Sequence, residues 1–315
     1  MYSKFYFILL LFSFVVFAAC QAQEKTKGQS DFPVLTGPYL GQKPPGLIPE
    51  IFAPGIVSTS DLEHSSPSFS PDGETVVWAA YSRPNKYMVI KIMNVREGRW
   101  TAPRVVSFSG ECQDGGPIFS RDGSSIYFHS SRPVEGIGKP ASFWSVERTE
   151  NGWNLPSKIK STINSGESQN YMDFAQEDTI YFSSNRKYSK GMADIYLAIT
   201  IDGSYGEPTN LGEAINSKDS EFAPCVTPDQ SCLIFSRYTE SPKGVQLCIS
   251  FRMSDGSWTK AVPMGDCNPL FRKARCSKFS RNGKYLFFCA NVDGEHDIYW
   301  VDANIIESFK PETIK

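Results

Sequence analysis

The sequence predicts an all-β fold, a five-bladed β-propeller of four-stranded blades, and three recurring features predict it. A turn motif behind an apolar residue occurs five times: Phe69 opens FSPDG, Phe119 FSRDG, Phe174 FAQED, Val226 VTPDQ and Phe279 FSRNG, at spacings of 50, 55, 52 and 53 residues. An aromatic–proline marker runs in phase with it: Trp100 opens WTAP, Trp153 WNLP, Tyr205 YGEP and Trp258 WTKAVP, at spacings of 53, 52 and 53. Between these markers lie short β-branched and aromatic runs such as TVVWAAYSR, SIYFHSSR, DIYLAIT and DIYWVD. Runs of this kind bounded by Gly, Pro, Asp and Ser read as strands, and no segment keeps a helical period. Four strands per repeat match one blade, and a closed ring of blades removes most exposed sheet edges.

The elements follow in order. Residues 1–19 form a signal segment: Lys4, then an apolar run from Phe5 to Ala19, too short for a membrane span. The ending Phe17-Ala18-Ala19-Cys20 resembles a bacterial lipoprotein signal, which implies lipidation of Cys20; cleavage after Ala22 is the alternative. Residues 20–49 are expected to be a polar tether and an extended entry segment, and residues 50–315 the propeller. The last unit stops at its third strand, DIYWVD, and Ile51–Val57 matches Arg99–Val105 in type and phase. Pairing of the two chain ends in one blade therefore closes a five-membered ring. Six blades are the alternative, for which residues 24–50 are too few and too rich in Pro and Gly.

The turns explain themselves. In SPDG, Pro71 presets φ, Asp72 bonds its own turn and Gly73 takes the left-handed conformation. A sialidase Asp-box needs a residue between Asp and Gly, so this adjacent pair is scaffold.

These residues resemble the WD40-like repeats of TolB-type propellers over about residues 50–302, and the segment YLGQKPPGLIPEIFAPGIVS resembles the entry of lipoproteins in that family. The FAQED and VTPDQ turns depart from the pattern. Six blades are usual for that resemblance, and it also implies kinship with oligogalacturonate lyases, which need a histidine-rich metal cluster. Three histidines barely supply one, so neither metal nor cofactor is expected.

Charge and cysteines narrow the partners. A net charge of −2 and the absence of a basic excess argue against nucleic acid. Apart from Cys20 there are seven cysteines, an odd number, mostly within apolar strands where Cys serves as a small hydrophobe. Export, a lipid anchor and a location at the bacterial cell envelope are expected, the chain being a monomer whose partner is an envelope protein or an oligosaccharide.

Function is expected on the face opposite the SPDG turns, here termed the upper face. Four units place an acidic or polar entry (Glu63, Glu111 with Asp114, Glu167 with Gln169 and Asn170, Asp219 with Glu221) opposite an arginine (Arg83, Arg132, Arg186, Arg237). The fifth reverses this, with Arg272, Lys273 and Arg275 against Asn291, Asp293, Glu295 and His296. A charge pair that repeats reads as scaffold. The residues that break the repeat are the ligand-binding candidates: His64, Asp114, His129, Glu221, Arg272, Arg275 and His296, with Asp114 and Glu221 as the candidate catalytic carboxylates. There is no HExxH, GxSxG, Walker or Rossmann motif. The expectation is a non-enzymatic binding or scaffold module for a protein or glycan. The alternative is a carbohydrate-active enzyme, glycoside hydrolase or polysaccharide lyase, using the upper-face acids or histidines.

Overall fold

A computed structural model describes residues 32–81, 87–133, 141–164, 167–176, 178–240 and 243–312. The signal segment, Cys20 and Arg83 lie outside these residues. Val34–Lys315 is one compact unit. Its strands form five small antiparallel sheets, the blades of a five-membered propeller. From the axis outward, blade two runs Asp114–Phe119, Ser125–Ser130, Ser142–Thr149, and then Gly152–Trp153 and Ser157–Lys158, and the other blades follow the same order. In blade five the outermost strand is Glu50–Ile51, pairing antiparallel with Glu295–Asp302 through Glu50↔Trp300 and Ile51↔Tyr299. The chain ends thus close the ring as the repeat phase requires, with five blades and not six.

The core lies between blades rather than within them. Val77, Ile90 and Ile92 of blade one pack on Phe119, Ile126 and Phe128 of blade two. Phe143 and Ile118 of blade two meet Ile180 and Phe182 of blade three, and the pattern continues through blades four and five. Burial of this kind contributes roughly 25 cal/mol per Å² of apolar surface, and a lone blade has nothing to bury its faces against. Cys225, Cys232, Cys248, Cys276 and Cys289 are buried as free thiols in this packing, while Cys267 is exposed and also unbridged.

The entry segment packs across the closing seam. Tyr39 sits edge-on to Phe69 of blade one and to Tyr285 of blade five, each at 5.2 Å, with Trp300 at 5.7 Å. Trp100 donates its indole N–H to the Gly37 carbonyl at 2.9 Å. The seam therefore has two fastenings, a strand pairing and an aromatic plug.

The turns are built as the sequence implies. Asp72 Oδ1 accepts from Ser70 Oγ at 2.5 Å and from Glu74 N at 2.9 Å. Asp122 and Asn282 repeat the arrangement with Ser120 and Ser280.

A chain beginning at Val34 is expected to melt as one cooperative unit. A chain beginning at Ser58, which lacks the closing strand and the Tyr39 plug, is expected to melt at a clearly lower temperature. Circular dichroism melts compare them, and equal melting temperatures would refute this account of closure.

Candidate functional site

The channel is lined by the five inner strands, and the repeat turns it into stacked rings of equivalent residues. The first ring carries the entry acids. Asp114 is fully buried; it accepts from Ser109 and Ser130 Oγ, each at 2.7 Å, and pairs with Arg132. Glu221 is equally buried and pairs with Arg237 Nε at 2.7 Å and Ser217 Oγ at 2.6 Å. The arginines also donate to loop carbonyls at matching positions: Arg132 to Phe108, Arg186 to Ile163 and Arg237 to Ile215. Arg132 and Arg186 lie over Phe128 and Phe182 of their own blades as well. The charge pairs are thus intrablade ties that fix the loops. Burial raises the Asp114 carboxyl pKa against the lowering effect of Ser130 and Arg132. Removing one partner of such a pair leaves a buried charge without compensation. Glu63 holds the same position in blade one, accepts from Thr59 Oγ1 at 3.0 Å and is pushed by burial up to about 8.

One residue further along each strand lies the mouth ring: His64, Gly115, Asn170, Phe222 and Arg275. The strands then bulge. The next residue adopts a left-handed backbone in four blades, Gly116 at φ 56°, Tyr171 at 47°, Ala223 at 50° and Cys276 at 53°. A bulge re-aims its side chain, and a left-handed φ strains a bulky residue by about 1–3 kcal/mol. Three blades place a small residue there and blade three places a tyrosine.

Tyr171 is the centre of the upper mouth. His64 Nδ1 lies 2.8 Å from its hydroxyl, the tautomer deciding which of the two donates. The Tyr171 amide donates to His129 Nδ1 at 3.3 Å, and the two rings meet edge to face at 4.7 Å. His129 reaches this place from the second strand of blade two because Gly115 and Gly116 leave it open. A Cβ on Gly115 would come within 2.5 Å of His129 Nε2, and one on Gly116 within 2.8 Å of Tyr171 Cδ1. Phe222 of blade four lies 6.4 Å from the Tyr171 ring. Blade five supplies Arg275, whose guanidinium donates to His296 Nδ1 at 2.8 Å, and the Asn291 amide lies 2.6 Å from Nε2 of the same ring. Because Arg275 can only donate, Nδ1 of His296 accepts.

The electrostatics keep the imidazoles neutral. Burial, then the nearby Arg275 and His296, lowers His64 to about 4. Burial and His64 lower His129 to about 3. Burial and Arg275 also lower His296. Burial, with Cys276 adding to it, holds the Tyr171 hydroxyl well above its ordinary value.

Of the sequence candidates, His64, His129, Arg275 and His296 converge on this mouth. Asp114 and Glu221 instead lie in the ion-paired ring, and Arg272 is exposed, bonded to Asp266 at 2.8 Å. Among the described residues no three His, Cys, Asp or Glu are grouped to hold a metal ion. Tyr171 was missed, although it was visible in the repeat: three residues before each turn marker stand Ser66, Gly116, Tyr171, Ala223 and Cys276.

Below the mouth the channel narrows to a cavity of about 10 Å³ beside Tyr171, Met172 and Lys278. It reopens on the turn face as a funnel of about 400 Å³.

The chain is a five-bladed propeller. Among solved structures it is similar to an endo-arabinase from Bacteroides thetaiotaomicron, with a TM-score of 0.53, 13% identity, and coverage of 77% of this chain and 95% of that one. It is similar to an α-L-arabinofuranosidase from Lactobacillus brevis, with a TM-score of 0.51, 14% identity, and coverage of 76% and 90%. A TolB-like protein from Agrobacterium tumefaciens has a TM-score of 0.48 at 16% identity, covering 78% of each chain. No family model and no curated protein matches the sequence. At these identities the likeness is one of fold.

The neutral imidazoles set a pH dependence. An unfolded histidine titrates near 6.5, whereas folded His64 and His129 titrate near 4 and 3, so between these values the unfolded chain binds more protons. Their contribution to stability is complete above pH 6.5 and is lost progressively as pH falls from 6.5 through the folded values near 4 and 3. The double variant His64→Gln/His129→Gln is expected to show a flatter fall of melting temperature over that window than the parent. Identical slopes would contradict the assignment.

Proposed function

We propose that this protein acts on an acidic glycan at its upper mouth, as a carbohydrate-active enzyme of the lyase type. The observation that supports this most directly is the His64–Tyr171 contact of 2.8 Å, a proton-transfer pair flanked by Arg275. Arg275 would receive the carboxylate of a uronate, and that negative charge would offset part of what holds His64 low. His64 is then the base that removes the proton from the carbon bearing the carboxylate. The electron pair forms the new C=C bond as the adjacent C–O bond breaks, and the Tyr171 hydroxyl protonates the departing oxygen. General acid–base assistance of this kind is worth about 10²–10⁴ in rate. His296, held by Arg275, and His129, held by the Tyr171 amide, are positioning residues.

A second reading is a non-enzymatic glycan-binding module. Supporting it, Asp114 and Glu221 are both engaged in ion pairs within their own blades, leaving neither as a free carboxylate across the channel.

Incubation with a panel of uronate polymers, read by the ultraviolet absorbance of the unsaturated product, separates the readings. Turnover by the parent that falls at least about a hundredfold in Tyr171→Phe and in His64→Gln, with binding retained, is the expected result. Binding without product supports the module. Neither binding nor product refutes both.

The proposal includes an envelope location through lipidated Cys20. Cys20→Ser is expected to abolish incorporation of a labelled fatty acid and to release the protein from the membrane fraction; unchanged labelling would overturn this.

A further inference from the structure

The turn-face end of the channel has chemistry that the upper-mouth reading does not use. The funnel of about 400 Å³ lies within the range of small-ligand sites. All four turn-marker phenylalanines border it; Phe119 and Phe69 are buried in the interblade packing, and Phe174 and Phe279 are the partly exposed ones. At its inner end Lys278, which also lines the narrow waist, faces Asp173 at 3.8 Å. Asp173 is held by the Val226 amide at 2.9 Å and is raised by burial, with Lys278 opposing.

The rim is cationic. Arg121 and Arg281 occupy the same position in the turns of blades two and five, where blades one and four carry Pro71 and Pro228. Both arginines are exposed and line the opening of the funnel. Arg121 donates to the Ala175 carbonyl of blade three. Arg281 reaches past blade one to donate to the carbonyls of Ser120, at 3.1 Å, and Arg121. This brings two like charges together, and after burial the presence of Arg121 is what lowers Arg281 most, with Asp122 opposing. In each guanidinium only one nitrogen is engaged by these carbonyls, so most of its five donors remain for a ligand. The lining carries Arg121, Lys278 and Arg281 against Asp173 alone, in a chain whose net charge is −2. Nearby acids are committed: Asp122 accepts from Ser120 and Ser124, and Asp72 accepts from Ser70 and faces Arg148 at 3.9 Å.

We infer that the turn-face funnel is a binding site for a small organic anion, its phosphate or carboxylate held between Arg121 and Arg281 and its apolar body against Phe174 and Phe279. Two guanidiniums clasping one anion relieve their mutual repulsion and present planar forks to it. Phe174 and Phe279 offer the partly exposed apolar surface for the rest of the molecule. The inference is independent of the reaction proposed for the upper mouth.

Calorimetry on the intact mature protein at constant salt tests it with phenyl phosphate, inorganic phosphate and phenol as probes. Phenyl phosphate is expected to bind most tightly, inorganic phosphate more weakly and phenol least, because only the first offers both charge and ring. Arg121→Gln/Arg281→Gln is expected to weaken phenyl phosphate at least about tenfold, the loss of charge-assisted bonds being of that order. Arg275→Gln, at the other end of the channel, is expected to leave it unchanged. If the glutamine pair lowers the melting temperature, Arg121→Lys/Arg281→Lys keeps the charge and is expected to give an intermediate loss. Affinity lost in Arg275→Gln but kept in the rim variants would overturn the assignment, as would equal binding of phenol and phenyl phosphate.

Discussion

A blade of this protein has no core of its own, and the structure depends on that constraint. Each sheet has two apolar faces and buries them only against its neighbours, so five blades are stable together or not at all. Closure is then the decisive contact. It is made by a two-residue strand, Glu50–Ile51, on the last blade, reinforced by Tyr39 wedged among Phe69, Tyr285 and Trp300. The short pairing supplies register, and the aromatic plug supplies the burial that so short a strand lacks.

The ring also explains why the channel is chemically layered. Equivalent positions in the five inner strands fall at one depth, so a single rule per position builds a ring of entry groups in which Asp114 and Glu221 are ion-paired, a mouth ring, a bulge ring and a ring of turn-marker apolar residues. Where the rule is kept, the ring is scaffold, as with Asp114–Arg132 and Glu221–Arg237. Where one blade departs, a side chain enters the channel. Tyr171 does so at a bulge position that suits small residues, and Gly115 and Gly116 clear the space for His129 beside it. Strain and vacancy are matched at one place, which is how an otherwise regular scaffold accommodates a site.

Much of the fold was legible because it is written five times. The turn markers, the aromatic–proline markers and the truncated last unit fix strand order, blade number and the pairing of the chain ends. The site was legible only in part. His64, His129, Arg275 and His296 stand out as departures from the repeat and do meet at the mouth, whereas Asp114 and Glu221 stand out as acids yet serve as struts. Tyr171 was hidden because tyrosine is common in these strands and only its phase, three residues before the turn marker, makes it unusual. The basic rim of the funnel was hidden for a similar reason, since Arg121 and Arg281 lie within turns read as connectors.

The sequence by itself determined the periodic part of this protein: strand positions, turn chemistry, five blades and the sharing of one blade by both ends. These follow from local propensity and repetition, which need no knowledge of distance. The tertiary structure decided what fills the channel. Which side chains face one another there depends on the bulge that turns Tyr171 inward and the two missing Cβ atoms that admit His129. It depends also on the reach of Arg281 across to blade two. Those are relations between residues as far as 161 positions apart in the chain, set by closure of the ring and by steric exclusion at its axis.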